Sequence, residues 1–396
     1  MRDVVPGAGA SGPIDRRQRE PVRGARYVGF RRNFALAGAP LKRWAAPGRV
    51  NLIGEHTDYT GGLVLPVALD LVCEATVSAG DPGRLRVQAL DLGEERTWGL
   101  EGLARLEPAH DWSDYVAGVA QQVLRLGFEI PAMTLELRSS VPIGSGLSSS
   151  ASLEVAAALA LLDDRPIDKL ELARLCHRAE NEFVGLPCGI MDQFISVFGE
   201  DRAALLIDCR DLSRQAVPLP AGVTFVAVNS MVKHALGDSA YRERVADCAE
   251  AVARLGVESL RDATEEMLPA LEGRLLARAS HVVKENARVR EFAAAARAGD
   301  VEAMGRAMQA SHRSLRDDYE VSCAELDFLV EAALAIPGVL GARMTGGGFG
   351  GCTVNLVRED AVDQFRSAIA AAYQERYGRT PEVYPCRPSR GARKIS

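Results

Sequence analysis

The stretch GRVNLIGEHTDY, residues 48–59, begins as an apolar, β-branched run and ends in Glu55, His56, Thr57, Asp58 and Tyr59 side by side. An apolar strand has no packing reason to deliver such a cluster, so the segment is a candidate site. A metal set made of Glu55, His56 and Asp58 is disfavoured. Alternate residues of an extended segment point in opposite directions, and a turn must reorient them before they can act together.

A second candidate is SSVPIGSGLSSSASLEVAAALALL, from Ser139, which sets a Gly- and Ser-rich loop directly ahead of a strong helix. Gly144 and Gly146 let backbone N–H groups approach an anion, and the helix N-terminus adds unpaired donors and the positive end of a dipole. Ser148, Ser149 and Ser150 add hydroxyls for phosphate or metal. One Ser would cap the helix; three in a row after G-x-G exceed that need. The pattern G-x-x-x-x-G-K-[ST] is absent, so this is a phosphate cradle without the Walker arrangement. Gly346, Gly348 and Gly351 satisfy G-x-G-x-x-G, but CTVNLV after them reads as a strand rather than a helix. That excludes a dinucleotide fingerprint and leaves a hairpin whose backbone crowds a ligand or a neighbouring segment.

Two carboxylates complete the set. In IDKLELARLCHRAENEF, Leu172, Leu175, Cys176, Ala179 and Phe183 form an apolar helical stripe with Glu180 at its edge. Glu180 is either a surface ion-pair partner or an oxygen ligand for a Mg²⁺ that bridges nucleotide phosphates. Asp192, in CGIMDQFISVFG, is flanked by Ile190, Met191, Phe194, Ile195, Val197 and Phe198, which predicts a buried carboxylate. Such a group needs a cation nearby, and Arg49 is the candidate.

The elements that must hold these residues follow from periodicity. Residues 43–138 read as strand-rich, with VLPVAL, VCEATVSA, LRVQAL and MTLELRSS as strands and one helix at about 112–126. Helices follow at about 150–162, 168–184 and 189–198, and then ALLIDCR and VTFVAVNS as strands. From residue 239 to about 335 the pattern is helical. A strand, a glycine loop, a strand, a final helix and a short C-terminal strand end the chain. The order is α+β. The organisation expected is a flexible basic extension over 1–26, an N-terminal domain with the phosphate cradle over 27–218 and a C-terminal domain with the second glycine loop over 219–396. The last strand can return to the first domain.

Composition sets outer limits. With 396 residues, 47% hydrophobic and 25% charged, the chain is an ordinary globular one, and no apolar run reaches the about 18 residues of a membrane span. Net charge is -6, split into +8 over residues 1–50 and -14 over the rest, which argues against a nucleic-acid or membrane partner. The eight cysteines are scattered, without C-x-x-C or zinc-ligand spacing, and fit reduced thiols in a cytoplasm. Oligomeric state stays open, with a monomer favoured.

Taken together, GRVNLIGEHTDY, PIGSGLSSSAS, CGIMDQF and MTGGGFGGC resemble the galactokinase family, within the kinase superfamily shared with homoserine, mevalonate and phosphomevalonate kinases. The resemblance runs from about residue 30 to the C-terminus. It implies a two-domain small-molecule kinase with ATP, Mg²⁺ and D-galactose in the interdomain cleft, and transfer of the γ-phosphoryl group to the sugar 1-hydroxyl. It also gives the opening cluster a purpose, because a ring of hydroxyls needs several short-range donors and acceptors. By the same resemblance Glu55, His56, Asp58, Tyr241 and Gly189 meet the sugar. Gly144, Ser145, Gly146, Leu147, Ser148, Ser149 and Ser150 hold the phosphates, and Ser150 and Glu180 hold Mg²⁺. Asp192 is the catalytic base and Arg49 its charge partner. Trp112 stands on the adenine side or in the core. Another sugar 1-kinase, acting on N-acetylgalactosamine or arabinose, is the nearest alternative. A silent galactose sensor is disfavoured because Ser150 and Ala151 are both present. Lys233 replaces an arginine common in relatives.

Overall fold

The computed structural model describes residues 41–233 and 237–396, without the side chains of 233, 237 and 238. The expected extension over 1–26 and the Lys233 side chain lie outside the described residues. The described elements are, in order, β1 (Lys42–Asn51), β2 (Leu63–Val64), β3 (Pro66–Ala79), β4 (Arg84–Ala89), β5 (Glu94–Gly99), α1 (Ser113–Arg125), β6 (Met133–Ser139), α2 (Ser149–Leu162), α3 (Lys169–Arg178) and α4 (Met191–Phe198). Then come β7 (Ala203–Asp208), β8 (Arg214–Pro218), β9 (Val223–Lys233), α5 (Gly237–Leu255), α6 (Gly273–Ala298), α7 (Val301–Asp317) and α8 (Ala324–Leu334). The chain closes with β10 (Val339–Thr345), β11 (Gly350–Arg358), α9 (Val362–Tyr377), β12 (Glu382–Cys386) and β13 (Arg393–Lys394).

Among the described residues the first sheet has the order β13-β1-β3-β6-β4-β5, and a second has β10-β11-β9-β12. Every pairing in them is antiparallel except that of β4 with β6. A small sheet β2-β7-β8 joins residues far apart in sequence. This is the expected α+β order. The two strands expected at VLPVAL and VCEATVSA are mostly one long strand, β3, and the charged edge strand β5 was not expected. β13 returns to β1, with Trp44 opposite Lys394, so the chain end does close back onto the first sheet.

β1 organises the molecule because it belongs to two apolar cores. Its first half packs Trp44 and Ala46 with Val119, Leu135 and Leu161, under α1 and α2. Its second half packs Val50 and Leu52 with Phe225, Phe292 and Met304, under α6 and α7. The division expected at residue 218 falls between β8 and β9, and this second core spans it. Between the halves the register shifts at Pro47/Arg49. A β-bulge of this kind re-aims a side chain, and here the side chain is Arg49.

α2 forms from an Ala- and Leu-rich run of high helix propensity, buried on most faces. The helix expected over 168–184 begins as α3, capped by the Asp168 side chain, and then widens to a π-turn over Ala179–Val184. Glu180, in the first part of that turn, is buried, while Glu182 faces solvent and pairs with Arg125.

Candidate active site

The bulged Arg49 is the hub. Its Nε donates to Asp192 Oδ1 at 2.8 Å and its Nη2 to Asp192 Oδ2 at 2.9 Å, a two-pronged, charge-assisted pair. Its Nη1 donates to the carbonyl of Gly146, and its backbone N–H to that of Leu147 at 3.0 Å. One arginine therefore ties the strand to both the phosphate loop and the carboxylate. Asp192 sits in the first turn of α4, where the helix dipole favours a negative charge. Its side chain is 25% exposed and lines a cavity, which corrects the expectation of a buried acid: Phe194, Ile195 and Val197 pack into apolar cores and leave it open.

Ser148 takes a left-handed conformation (φ 60°) as the N-cap of α2, yet makes no side-chain cap bond. Its hydroxyl donates to Asp192 Oδ2 instead. Capping thus does not account for this serine. Ser149 and Ser150 are half-exposed beside it and line the cavity with Gly144 and Gly146. Ser145 and Leu147 do not. The Ser145 hydroxyl is spent on the Pro142 carbonyl and the Leu147 amide, and Leu147 is fully buried in the second core.

The glycine loop between β10 and β11 closes over this cradle, as the hairpin reading expected. A Cβ on Gly351 would come within 3.1 Å of the Ser145 carbonyl, so two backbones meet where side chains would not fit. Glu55 fastens the loop: its Oε1 accepts the Gly346 N–H at 2.8 Å and a long bond from buried Arg343 at 3.4 Å, and its Oε2 accepts from Asn51.

The residues that the resemblance puts against a sugar converge on the same cavity. Glu55, His56, Asp58, Gly189 and Tyr241 all line it, and the His56 ring lies 5.4 Å from that of Tyr241. A Cβ on Gly189 would fall 2.2 Å from Asp58 Oδ2, so only glycine lets that carboxylate stand where it does. Burial, reinforced by Asp192 and Glu55, pushes the Asp58 carboxyl up to about 7. Burial and nearby cations pull His56 down to about 3, so its ring is neutral.

Glu180 is buried at 4% exposure, which rules out the surface ion pair. Gln193 Nε2 donates to it at 2.5 Å and also to Glu154 at 3.0 Å, and the Cys188 thiol donates at 3.3 Å. Burial and the charge of Asp192 raise the Glu180 acid against opposing bonds from Cys188, Gln193 and Ser150. Glu154 rises well above its ordinary range by burial and by Glu180. Sequence reasoning missed Glu154 and Gln193; the one signal was a carboxylate and an amide set inside otherwise apolar helices.

Glu154 Oε1 is buried with no hydrogen-bond partner, Glu154 and Glu180 each feel the charge of Asp192, and Arg49 bonds to Asp192 alone of the three carboxylates. This surplus of negative charge suits a divalent cation. Among the described residues no group of three or more His, Cys, Asp or Glu is placed to hold a metal on its own. Such an ion would need phosphate oxygens or water as further ligands, which is how Mg²⁺ is commonly held.

The cavity encloses about 460 Å³. Besides these polar groups it presents Leu92, Trp112, Tyr115, Ile143 and Leu153, an apolar set. Trp112 lines the cavity and also packs on the first core, with its Nε1 donating to Glu94 at 2.9 Å. No helix among the described residues is long and apolar enough to cross a membrane.

Comparison with known proteins adds to this geometry. The family described as GHMP kinases N terminal domain matches residues 114–200, the galactokinase galactose-binding signature matches 29–79, and GHMP kinases C terminal matches 292–375. The chain is 47% identical over 364 residues to a galactokinase of Roseiflexus sp., covering 88% of this chain and 92% of that one. It is 47% identical over 382 residues to a galactokinase of Homo sapiens, covering 92% and 95%. Among solved structures it resembles the Lactococcus lactis galactokinase complexed with galactose, at TM-score 0.85 and 36% identity, over 90% of this chain and 95% of that one. The Methanococcus jannaschii mevalonate kinase shares the fold at TM-score 0.66 and 19% identity, over 88% and 98%.

Proposed function

The chain belongs to the galactokinase family, and from that premise we propose how its cleft transfers the γ-phosphoryl group of ATP to the 1-hydroxyl of D-galactose. As a member of that family it is an ATP-dependent sugar kinase. Asp192 accepts the proton of the anomeric hydroxyl as O1 bonds to the γ-phosphorus and the bond to the ADP oxygen breaks. The observation that carries this reading is the Arg49–Asp192–Ser148 cluster, which puts a fixed carboxylate at the mouth of an anion-binding loop.

Phosphoryl transition states are loose, so positioning and charge matter more than a strong base. Arg49 orients Asp192 through both carboxylate oxygens and brings positive charge close to the transferring group. The α2 N-terminus with Gly144, Gly146, Ser149 and Ser150 holds the phosphates. Glu180 and Ser150 would hold a Mg²⁺, which supplies positive charge to the phosphate oxygens. The apolar set with Trp112 takes the flat base. Glu55, His56, Asp58, Tyr241 and the Gly189 backbone pair with sugar hydroxyls; a site of this kind rejects sugars that leave its buried polar groups unpaired.

We retain a division into two domains near residue 218, between the matched N- and C-terminal family segments. A cytoplasmic setting is supported by eight cysteines that are all free. The test is a panel of sugars assayed for ADP release with ATP and Mg²⁺. Galactose is expected to give the highest kcat/KM, and a far higher value for arabinose or N-acetylgalactosamine would overturn the substrate assignment.

A further inference from the structure

His56 is held by a chain of hydrogen bonds whose direction can be worked out from one end. Its Nε2 lies 3.2 Å from the Gly347 carbonyl, and its Nδ1 lies 2.9 Å from the Tyr59 hydroxyl. The Tyr59 hydroxyl is 2.7 Å from that of Tyr319, and the Tyr319 hydroxyl is 3.1 Å from the Cys248 thiol. A carbonyl can only accept, so Nε2 must carry a hydrogen; an unprotonated Nε2 would face the carbonyl as one acceptor against another. The ring is neutral, so Nδ1 is then bare and Tyr59 must donate to it. The Tyr59 oxygen therefore accepts from Tyr319, and Tyr319 accepts from Cys248.

The surroundings keep this chain in place. Tyr319 is fully buried, with its ring 4.8 Å from His56 and 4.5 Å from His281. Arg244 donates to the carbonyls of Tyr319 and Glu320 at 2.8 Å and 2.9 Å, which fixes the backbone that presents the phenol. The partners come from the strand-end loop, from α5, from the segment after α7 and from the glycine loop.

We propose that Tyr59 and Tyr319 are positioning residues of the sugar site: the Tyr59 hydroxyl, backed by Tyr319, holds Nδ1 while the Gly347 carbonyl holds Nε2–H, so the His56 ring is clamped at both nitrogens where it lines the cavity. This rests on the reading of His56 as a sugar contact. A sugar hydroxyl beside this pair can share the Nε2 hydrogen while giving its own to the Gly347 carbonyl. The other tautomer would set a bare nitrogen beside that carbonyl and lose the shared hydrogen.

The wild-type tautomer can be read directly from long-range ¹H–¹⁵N correlation spectra of histidine-labelled protein. Nε2–H is expected for His56, and Nδ1–H would overturn the relay whatever the sugar kinetics. Tyr59→Phe keeps the ring but removes the donor. It should leave the Nε2–H tautomer, which Gly347 still requires, move the Nδ1 ¹⁵N signal as that nitrogen loses its hydrogen bond, and raise KM for galactose about five- to tenfold, the cost of one hydrogen bond, with KM for ATP unmoved. Tyr319→Phe should act in the same direction and more weakly, since Tyr59 can still donate. An unchanged Nδ1 signal in Tyr59→Phe overturns the positioning role. A shifted Nδ1 signal with unchanged galactose KM overturns the proposal at its other support, the sugar contact of His56.

Discussion

Arg49 and Asp192, 143 residues apart, meet through two parallel hydrogen bonds of 2.8 Å and 2.9 Å at the point where strand β1 passes between its two cores. The pair joins a largely buried strand to the first turn of a short helix, and the same guanidinium reaches the Gly146 carbonyl of the serine-rich loop.

Arg49→Lys keeps the charge but cannot form the fork or reach Gly146 at the same time. It should lower kcat on the order of 10²-fold while leaving KM for galactose nearly unchanged. Steady-state kinetics with each substrate varied will check this, and a loss confined to KM would contradict it.

The raised Asp58 carboxyl gives a pH dependence with a definite sign. Below about 7 the group is protonated and loses its charge and one of its accepting oxygens to an O–H, so kcat/KM for galactose should rise with pH and level off above that value. In Asp58→Asn the slope through this range should disappear. Stability runs the other way. A carboxyl whose folded value lies above its ordinary 3.8 stabilises the fold at low pH, and that contribution is lost as pH rises through about 7. Asp58→Asn should therefore gain more in Tm at pH 8 than at pH 5.

Glu180→Ala removes the carboxylate assigned to Mg²⁺. The Mg²⁺ concentration for half-maximal rate should increase about tenfold or more, with KM for galactose unaffected. Mn²⁺ binding followed by electron paramagnetic resonance in the presence of ATP gives a readout apart from turnover. Unchanged metal affinity would remove Glu180 from the metal site.

What the sequence disclosed and what it hid have separate physical causes. The Gly- and Ser-rich loop ahead of α2 was legible because glycines, serines and a helix start are local signals, and the hairpin at Gly346–Gly351 because a strand followed it. The pairing of Asp192 with Arg49 was foreseen, but the exposure of Asp192 was misjudged, since neighbours in sequence on a helix point to different faces. Glu180 is covered by tertiary neighbours such as Gln193, which a helical period does not reveal. β5 was missed because its residues, EERTWG, are mostly exposed at a sheet edge and lack an apolar face. The Tyr59–Tyr319 contact spans 260 residues, and no local pattern announces it.

The central claim is that Asp192 takes the sugar's proton beside the phosphate loop, and the turnover of Asp192→Asn tests it most directly. The amide preserves shape and can still meet Ser148, so nucleotide affinity measured by calorimetry should stay near that of the parent. kcat should fall by about 10²–10⁴-fold. A variant that binds ATP normally and phosphorylates galactose at close to the parental rate would contradict the account.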